Sequence, residues 1–137
     1  MFARDVMTRA PYTLPATASV REALAIFNER GFRHIPLLDE QGALAGLVSE
    51  RDLRPMDPTR FPGSLHAAVV TPLLDRPLDP FISDAVVFVS PDDPLTAVID
   101  QLVNHRLGAV PVADAAGQVV GIISYIDVLS ALRAKTA

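Results

Sequence analysis

The chain contains no cysteine, which excludes disulfides, thiolate zinc sites and thiol nucleophiles. It also lacks a run of about 18 uninterrupted apolar residues that could cross a bilayer. The first residues, MFARDVMT, carry Asp5 and have no apolar core, so no secretory signal is expected and a cytoplasmic location is. Basic residues are scattered and the net charge is −4, which argues against a nucleic-acid footprint. A G-x-x-x-x-G-K-[ST] phosphate loop, an H-E-x-x-H zinc motif and a nucleophile elbow are all missing. Serine, histidine and aspartate are present, but their spacing builds no triad, so an enzyme is not expected. What remains is apolar: half of the 137 residues are hydrophobic and mean hydropathy is +0.29. Such a chain can bury a real core, and its surplus apolar surface points to subunit contact.

Two stretches organise the chain, Gly46 to Asp52 (GLVSERD) and Gly121 to Asp127 (GIISYID). Each runs from a glycine through apolar residues to a serine, with an aspartate three positions further on. A strand leading straight into a helix start would bring that hydroxyl and carboxylate together. The carboxylate could accept from a sugar diol, while the hydroxyl and the free helix N–H groups could meet a phosphate. That chemistry suggests a nucleotide.

Slid against itself by 75 residues, the sequence registers without a gap from about Ala3 to Arg54. Pro36 falls on Pro111, Asp39 on Asp114, Gly42 on Gly117, Gly46 on Gly121, Ser49 on Ser124 and Asp52 on Asp127. Val20, Ala23, Leu24 and Phe27 overlay Leu95, Val98, Ile99 and Leu102, the same buried helical face used twice. Ser19 and Glu22 predict a capping box opening the first helix, which Gly31 closes. In the second repeat Asp93 is the expected cap, Pro94 the first helical residue and Gly108 the position just past the end. Strands follow from His34 and Ala109, and turns at Gln41-Gly42 and Ala116-Gly117 lead into a second strand in each repeat. Tyr12 to Leu14 and Val86 to Val89 read as short extended pieces, and Arg4 to Met7 as a helical lead-in that LDPFIS, from Leu78, repeats. The fold class is α+β, a β-α-β-β-α unit used twice. Residues 1–54 form the first repeat, 55–77 a linker in which Ser64 can cap a short helix, and 78–137 the second repeat. Pro55 and Pro58 stop any long helix after Asp52, whereas Tyr125 to Lys135 continues as one.

With the repeat established, the chain resembles a tandem cystathionine β-synthase (CBS) domain pair, also called a Bateman module. The likeness is carried by DVMT at Asp5, RHIPLLD at Arg33, GALAGLVSERD at Gly42 and AVPVADAAGQVVGIISYID at Ala109. It covers nearly the whole chain, and no attached catalytic, channel or transporter domain is expected. The resemblance implies a regulatory module whose two pseudo-symmetric repeats leave two clefts for adenosine compounds such as AMP, ADP, ATP or S-adenosylmethionine, with no cofactor required. It also implies a disc-shaped homodimer that signals to a target protein, whose identity the sequence leaves open. The ribose would be held by Asp52 and Asp127, and phosphate by Ser49 and Ser124 with Arg33 and His34. Adenine would meet Thr13, Leu14, Ile35 and Pro36, or Phe88, Val89, Val110 and Pro111.

Repeat one has Arg33, His34 and Arg51 where repeat two has Gly108, Ala109 and Ile126, so a phosphate-rich ligand is expected to lean on repeat one. A charge-assisted contact contributes on the order of 1.5 to 3 kcal/mol against about 1 for a neutral one. Plainer readings stand beside these. S-x-x-D before a helix is itself a capping pattern, Arg51 could be a solvated first-turn residue, and His66 and His105 have no partners at metal spacing. A ligand-independent dimerisation or interaction scaffold is the alternative function.

Overall fold

A computed structural model describes residues 1–81 and 86–136. Its elements in chain order are α1 (Ala3–Val6), β1 (Thr8–Arg9), β2 (Leu14–Pro15), α2 (Val20–Arg30), β3 (His34–Leu38), β4 (Leu44–Ser49), α3 (Glu50–Leu53), α4 (Leu65–Val70), α5 (Leu95–Asn104), β5 (Ala109–Ala113), β6 (Val119–Ser124) and α6 (Tyr125–Thr136). Short 3-10 turns at Arg54–Met56, Pro58–Arg60, Thr71–Leu73 and Asp79–Phe81 fill the proline-rich middle. The strands form two three-stranded sheets, ordered β2-β3-β4 and β1-β6-β5.

The 75-residue register is a structural fact. His34 pairs with Ser49 and Ala109 with Ser124, and both hairpins shift register at matching places, Leu37/Leu38 and Val112/Ala113. The two turns are built alike. The Asp39 carboxylate accepts from the amides of Gln41 and Ala43, as Asp114 does from Ala116 and Gln118. Gly42 and Gly117 take φ of +79° and +82°, the left-handed geometry such a turn requires. The two hairpin tips touch, with the Leu44 amide donating to the Gly117 carbonyl at 2.9 Å.

Two apolar cores result, and they match position by position. Leu14, Val20, Ala23, Phe27, Ile35, Leu37, Val48 and Leu53 lie in one, and Val89, Leu95, Val98, Leu102, Val110, Val112, Ile123 and Val128 in the other. One pair is exchanged. Leu78, which by register opens repeat two, is fully buried in the core of repeat one, while Ala3, its counterpart, is fully buried in the core of repeat two. Backbone bonds fix the exchange: Leu78 N–H donates to Ala18 at 2.9 Å, and Ala3 N–H to Asp93 at 2.8 Å. Strand β1, also from the start of the chain, pairs antiparallel with β6 at Thr8–Ile122 and Arg9–Gly121.

The exchange explains where the second helix departs from expectation. Asp93 does not cap α5: Pro94 occupies the cap position, the helix begins at Leu95, and no side chain caps it. The Leu95 amide instead donates to the Met1 carbonyl at 3.0 Å, so the exchanged lead-in supplies the missing acceptor. Asp93 turns the other way and accepts from the Ser90 amide at 2.9 Å. At the far end, α5 stops at Asn104 and the left-handed residue is Arg106, φ +53°, not Gly108. In repeat one, Gly31 ends α2 with φ +70°, as expected. Ser19 caps α2 by accepting from the Glu22 amide at 3.1 Å, one arm of the expected box.

The other short elements follow the sequence closely. Ser64 caps α4 through the Ala67 amide at 3.0 Å. From Val86 to Val89, Val89 alone makes a bridge, parallel to Val112, and the end of the LDPFIS lead-in, Ile82 and Ser83, lies outside the described residues. No helix among the described residues is long and apolar enough to cross a membrane.

Candidate functional site

Both serine–aspartate stretches fold as reciprocal caps at a strand-to-helix junction. The Asp52 amide donates to Ser49 Oγ at 3.0 Å and the Ser49 amide to Asp52 Oδ2 at 3.3 Å. In repeat two the matching distances are 3.1 Å and 2.8 Å. The capping reading is therefore realised in both repeats. Each box engages one carboxylate oxygen, and among the described residues Oδ1 of Asp52 and of Asp127 has no hydrogen-bond donor.

Beside Asp52 the two repeats part to leave a cleft of about 920 Å³. Five expected site residues line it: Arg33, His34, Ser49, Arg51 and Asp52. Repeat two closes it with Val86 and Val87, with Arg106 to Ala109, and with Tyr125. Ser124 and Asp127 line neither this cleft nor a smaller hollow of about 240 Å³ beside it. Thr13, Leu14, Ile35, Pro36, Phe88, Val89, Val110 and Pro111 are also absent from the cleft wall. The reason is packing. Leu14, Ile35, Pro36, Val89, Val110 and Pro111 are buried, and Ile35 and Val110 are wholly inside the two cores. Phe88 is half exposed elsewhere.

The apolar side of the cleft thus comes from the opposite repeat, through Val86, Val87 and Leu107. Sequence reasoning missed these residues because it took the base contacts of each cleft from a single repeat. It also missed Arg106, a cation contributed by repeat two. The register carried the signal, since Arg106 falls on Gly31, but the helix end was placed at Gly108.

His34 packs against the opposite repeat. Its ring lies over Gly108, where an added Cβ would stand 3.0 Å from Nε2. Burial there pushes its pKa below the ordinary value, the Asp52 charge opposing and the Arg33 charge reinforcing that shift. The shift disfavours the charged ring, so His34 is a weaker phosphate partner than Arg33. Glu50, two residues before Asp52, binds Arg54 at 2.7 Å and Arg60 at 3.0 Å. The Arg54 hydrogen bond holds the Glu50 carboxyl below its usual range. Burial opposes this, and the charges of Arg54, Arg60 and Arg33 add to it. The chain carbonyls are matched across the repeats as well: Arg33 accepts from the Glu50 amide and Gly108 from the Tyr125 amide.

A doubled unit of this form, with a cleft between its halves, defines a paired small-domain module. The chain belongs to the CBS domain family, whose profile matches residues 3–55 and 79–134. It is 28% identical over 130 residues to the A-adding tRNA nucleotidyltransferase of Aquifex aeolicus, covering 95% of this chain and 14% of that protein. The chain spans 14% and 41% of the first two curated relatives it matches. Among solved structures it is similar to the CBS domain pair of protein MJ0100, in complex with 5′-methylthioadenosine and S-adenosyl-L-methionine. That match has a TM-score of 0.78 and 22% identity, and covers 98% of each chain. It is also similar to CBSX2 in complex with AMP, with a TM-score of 0.79, 21% identity and coverage of 99% and 98%. At these identities the likeness is one of fold.

Proposed function

We propose that this chain is a regulatory module that binds an adenosine compound, of the AMP, ADP, ATP or S-adenosylmethionine class, in the cleft beside Asp52. Occupancy shifts the angle between repeats or the packing of a homodimer, and a partner protein in the cytoplasm reads the change. The observation that carries this is the meeting, in one cleft, of an apolar wall with a carboxylate oxygen and guanidinium groups that have no partner among the described residues. Asp52 Oδ1 takes the ribose hydroxyls, Ser49 and Arg33 with Arg51 take phosphate, and Val87 with Leu107 faces the base. The fold likeness to pairs solved with AMP and with S-adenosylmethionine supports the ligand class. Exposed Tyr125, Ile126 and Leu129 at the start of α6 support the homodimer. A ligand shifts such a module only as far as it binds one arrangement better than another.

The test is calorimetry and thermal shift with AMP, ADP, ATP, S-adenosylmethionine, NAD(H) and cyclic dinucleotides. A true ligand at 100 times its Kd should add about 2.7 kcal/mol of stability. No response across the panel would overturn the reading. The scaffold alternative draws on one observation: both aspartates already serve as caps, so their presence is accounted for without a ligand. A stable dimer indifferent to every nucleotide and to Asp52→Ala would favour it.

A further inference from the structure

The cations on the cleft wall differ in whether they are already engaged. Arg54 is held by Glu50, at 2.7 Å and 3.2 Å, and Glu50 also binds Arg60. Arg33, Arg51 and Arg106 make no side-chain hydrogen bond or ion pair among the described residues. Two of these stand on repeat one, and Arg106 comes from repeat two. Arg106 occupies the position that Gly31 holds in the first repeat, and both take a left-handed backbone. Glycine adopts that geometry freely, whereas an arginine Cβ is crowded by it. What the arginine adds in return is a guanidinium on the cleft wall, facing a site whose other cations belong to the opposite repeat.

We propose that the cleft selects adenosine ligands with a polyphosphate tail, and that Arg106 reads the distal phosphates across the repeat boundary. This rests on the nucleotide reading of the cleft and narrows its ligand class. Among the described residues, three unengaged guanidiniums face one carboxylate outside any ion pair, Asp52. The three guanidiniums less Asp52 leave about two positive charges, which one phosphate group balances, but its three oxygens are few for three forked donors, and a longer tail supplies further acceptors to both walls. S-adenosylmethionine brings a sulfonium cation into the same field and is repelled. The volume, about 920 Å³, lies near the upper end of small-ligand pockets and leaves room for the tail. A plainer role for Arg106 exists, since a cation just past a helix C-terminus interacts favourably with the helix dipole. That role is blind to the ligand.

The deciding experiment is calorimetry with ATP, AMP and S-adenosylmethionine on the unaltered chain, Arg106→Gly and Arg106→Lys. Glycine keeps the left-handed turn without a side chain, and lysine keeps the charge without the fork. In the unaltered chain ATP should bind about tenfold or more tighter than AMP, with S-adenosylmethionine weakest. Arg106→Gly should lose about tenfold in ATP affinity and less than about twofold for AMP, with Arg106→Lys between. The unaltered chain supplies a check that needs no variant, because ATP affinity should fall more steeply with added salt than AMP affinity. Equal binding of ATP and AMP, an equal loss of both in Arg106→Gly, or tighter binding of S-adenosylmethionine would overturn the selectivity and leave the adenosine site standing. Failure of all three compounds to bind would overturn both.

Discussion

The two repeats share a backbone and differ in what they present. Their hairpins, bulges and serine–aspartate caps superimpose in register, so the local chain geometry is the same in both. Yet Arg33, His34, Glu50 and Arg51 in the first become Gly108, Ala109, Tyr125 and Ile126 in the second. Positions that build the turn and the core are held to one physical solution. Positions facing the space between the repeats are free to diverge, and here they place most of the charge on one side and an aromatic, apolar surface with the single cation Arg106, among the described residues, on the other. The small residues of repeat two are part of the same site: Gly108 leaves room for the His34 ring. The difference teaches that the asymmetric cleft is one site assembled from unlike halves.

Substitutions can break or sharpen that contrast, and the largest effect should come from the shared frame. Leu78→Ala removes a fully buried side chain from the core of repeat one and should cost about 2 to 5 kcal/mol in denaturant unfolding. Next comes the pair Asp52→Ala and Asp127→Ala. Each loses a cap and about 1 kcal/mol of stability, but only the first should weaken nucleotide binding, by about tenfold or more in calorimetry. Equal losses would mean that the Asp127 side is also occupied. Gly108→Ala sets a methyl against the His34 ring and should cost about 1 kcal/mol, with the double change Gly108→Ala/His34→Ala recovering most of it.

The pH effects are smaller. Glu50 has a folded pKa below its unfolded one, so its contribution is full above the unfolded carboxylate range and is lost as pH falls through the folded value. The stability gap between the unaltered chain and Glu50→Gln should therefore close on acidification, as followed by urea unfolding at several pH values. His34 runs the same way at a higher pH. Depressed by burial, it stabilises the fold above its unfolded pKa, and stability declines as pH drops below that value. A bound phosphate favours the charged ring, so nucleotide binding near pH 6.5 should take up protons, measurable as a buffer-dependent binding enthalpy.

Much of this was legible in the sequence. The doubled unit, the α2 stripe at Val20, Ala23, Leu24 and Phe27 and the Ser64 cap all follow from local rules of period, capping and repetition, while the grouping of Arg33 with Asp52 came from the family resemblance. What escaped depended on contacts between distant segments. Asp93 looked like a cap because local pattern cannot see that Met1 arrives to accept the Leu95 amide. Gly108 looked like a helix end because glycine is the usual left-handed residue, and only the register of Arg106 with Gly31 hinted otherwise. Val86, Val87 and Arg106 joined the cleft only through the packing of one repeat on the other.

The crossing of Ala3 and Leu78 into each other's neighbourhoods bears on how the chain is made. A ribosome that has released only the first half has delivered a fragment whose opening segment belongs to a partner not yet synthesised and whose interior still waits for Leu78. Neither half is a self-sufficient piece, so cleavage near Gly63 should yield two complementary fragments that become ordered only when mixed.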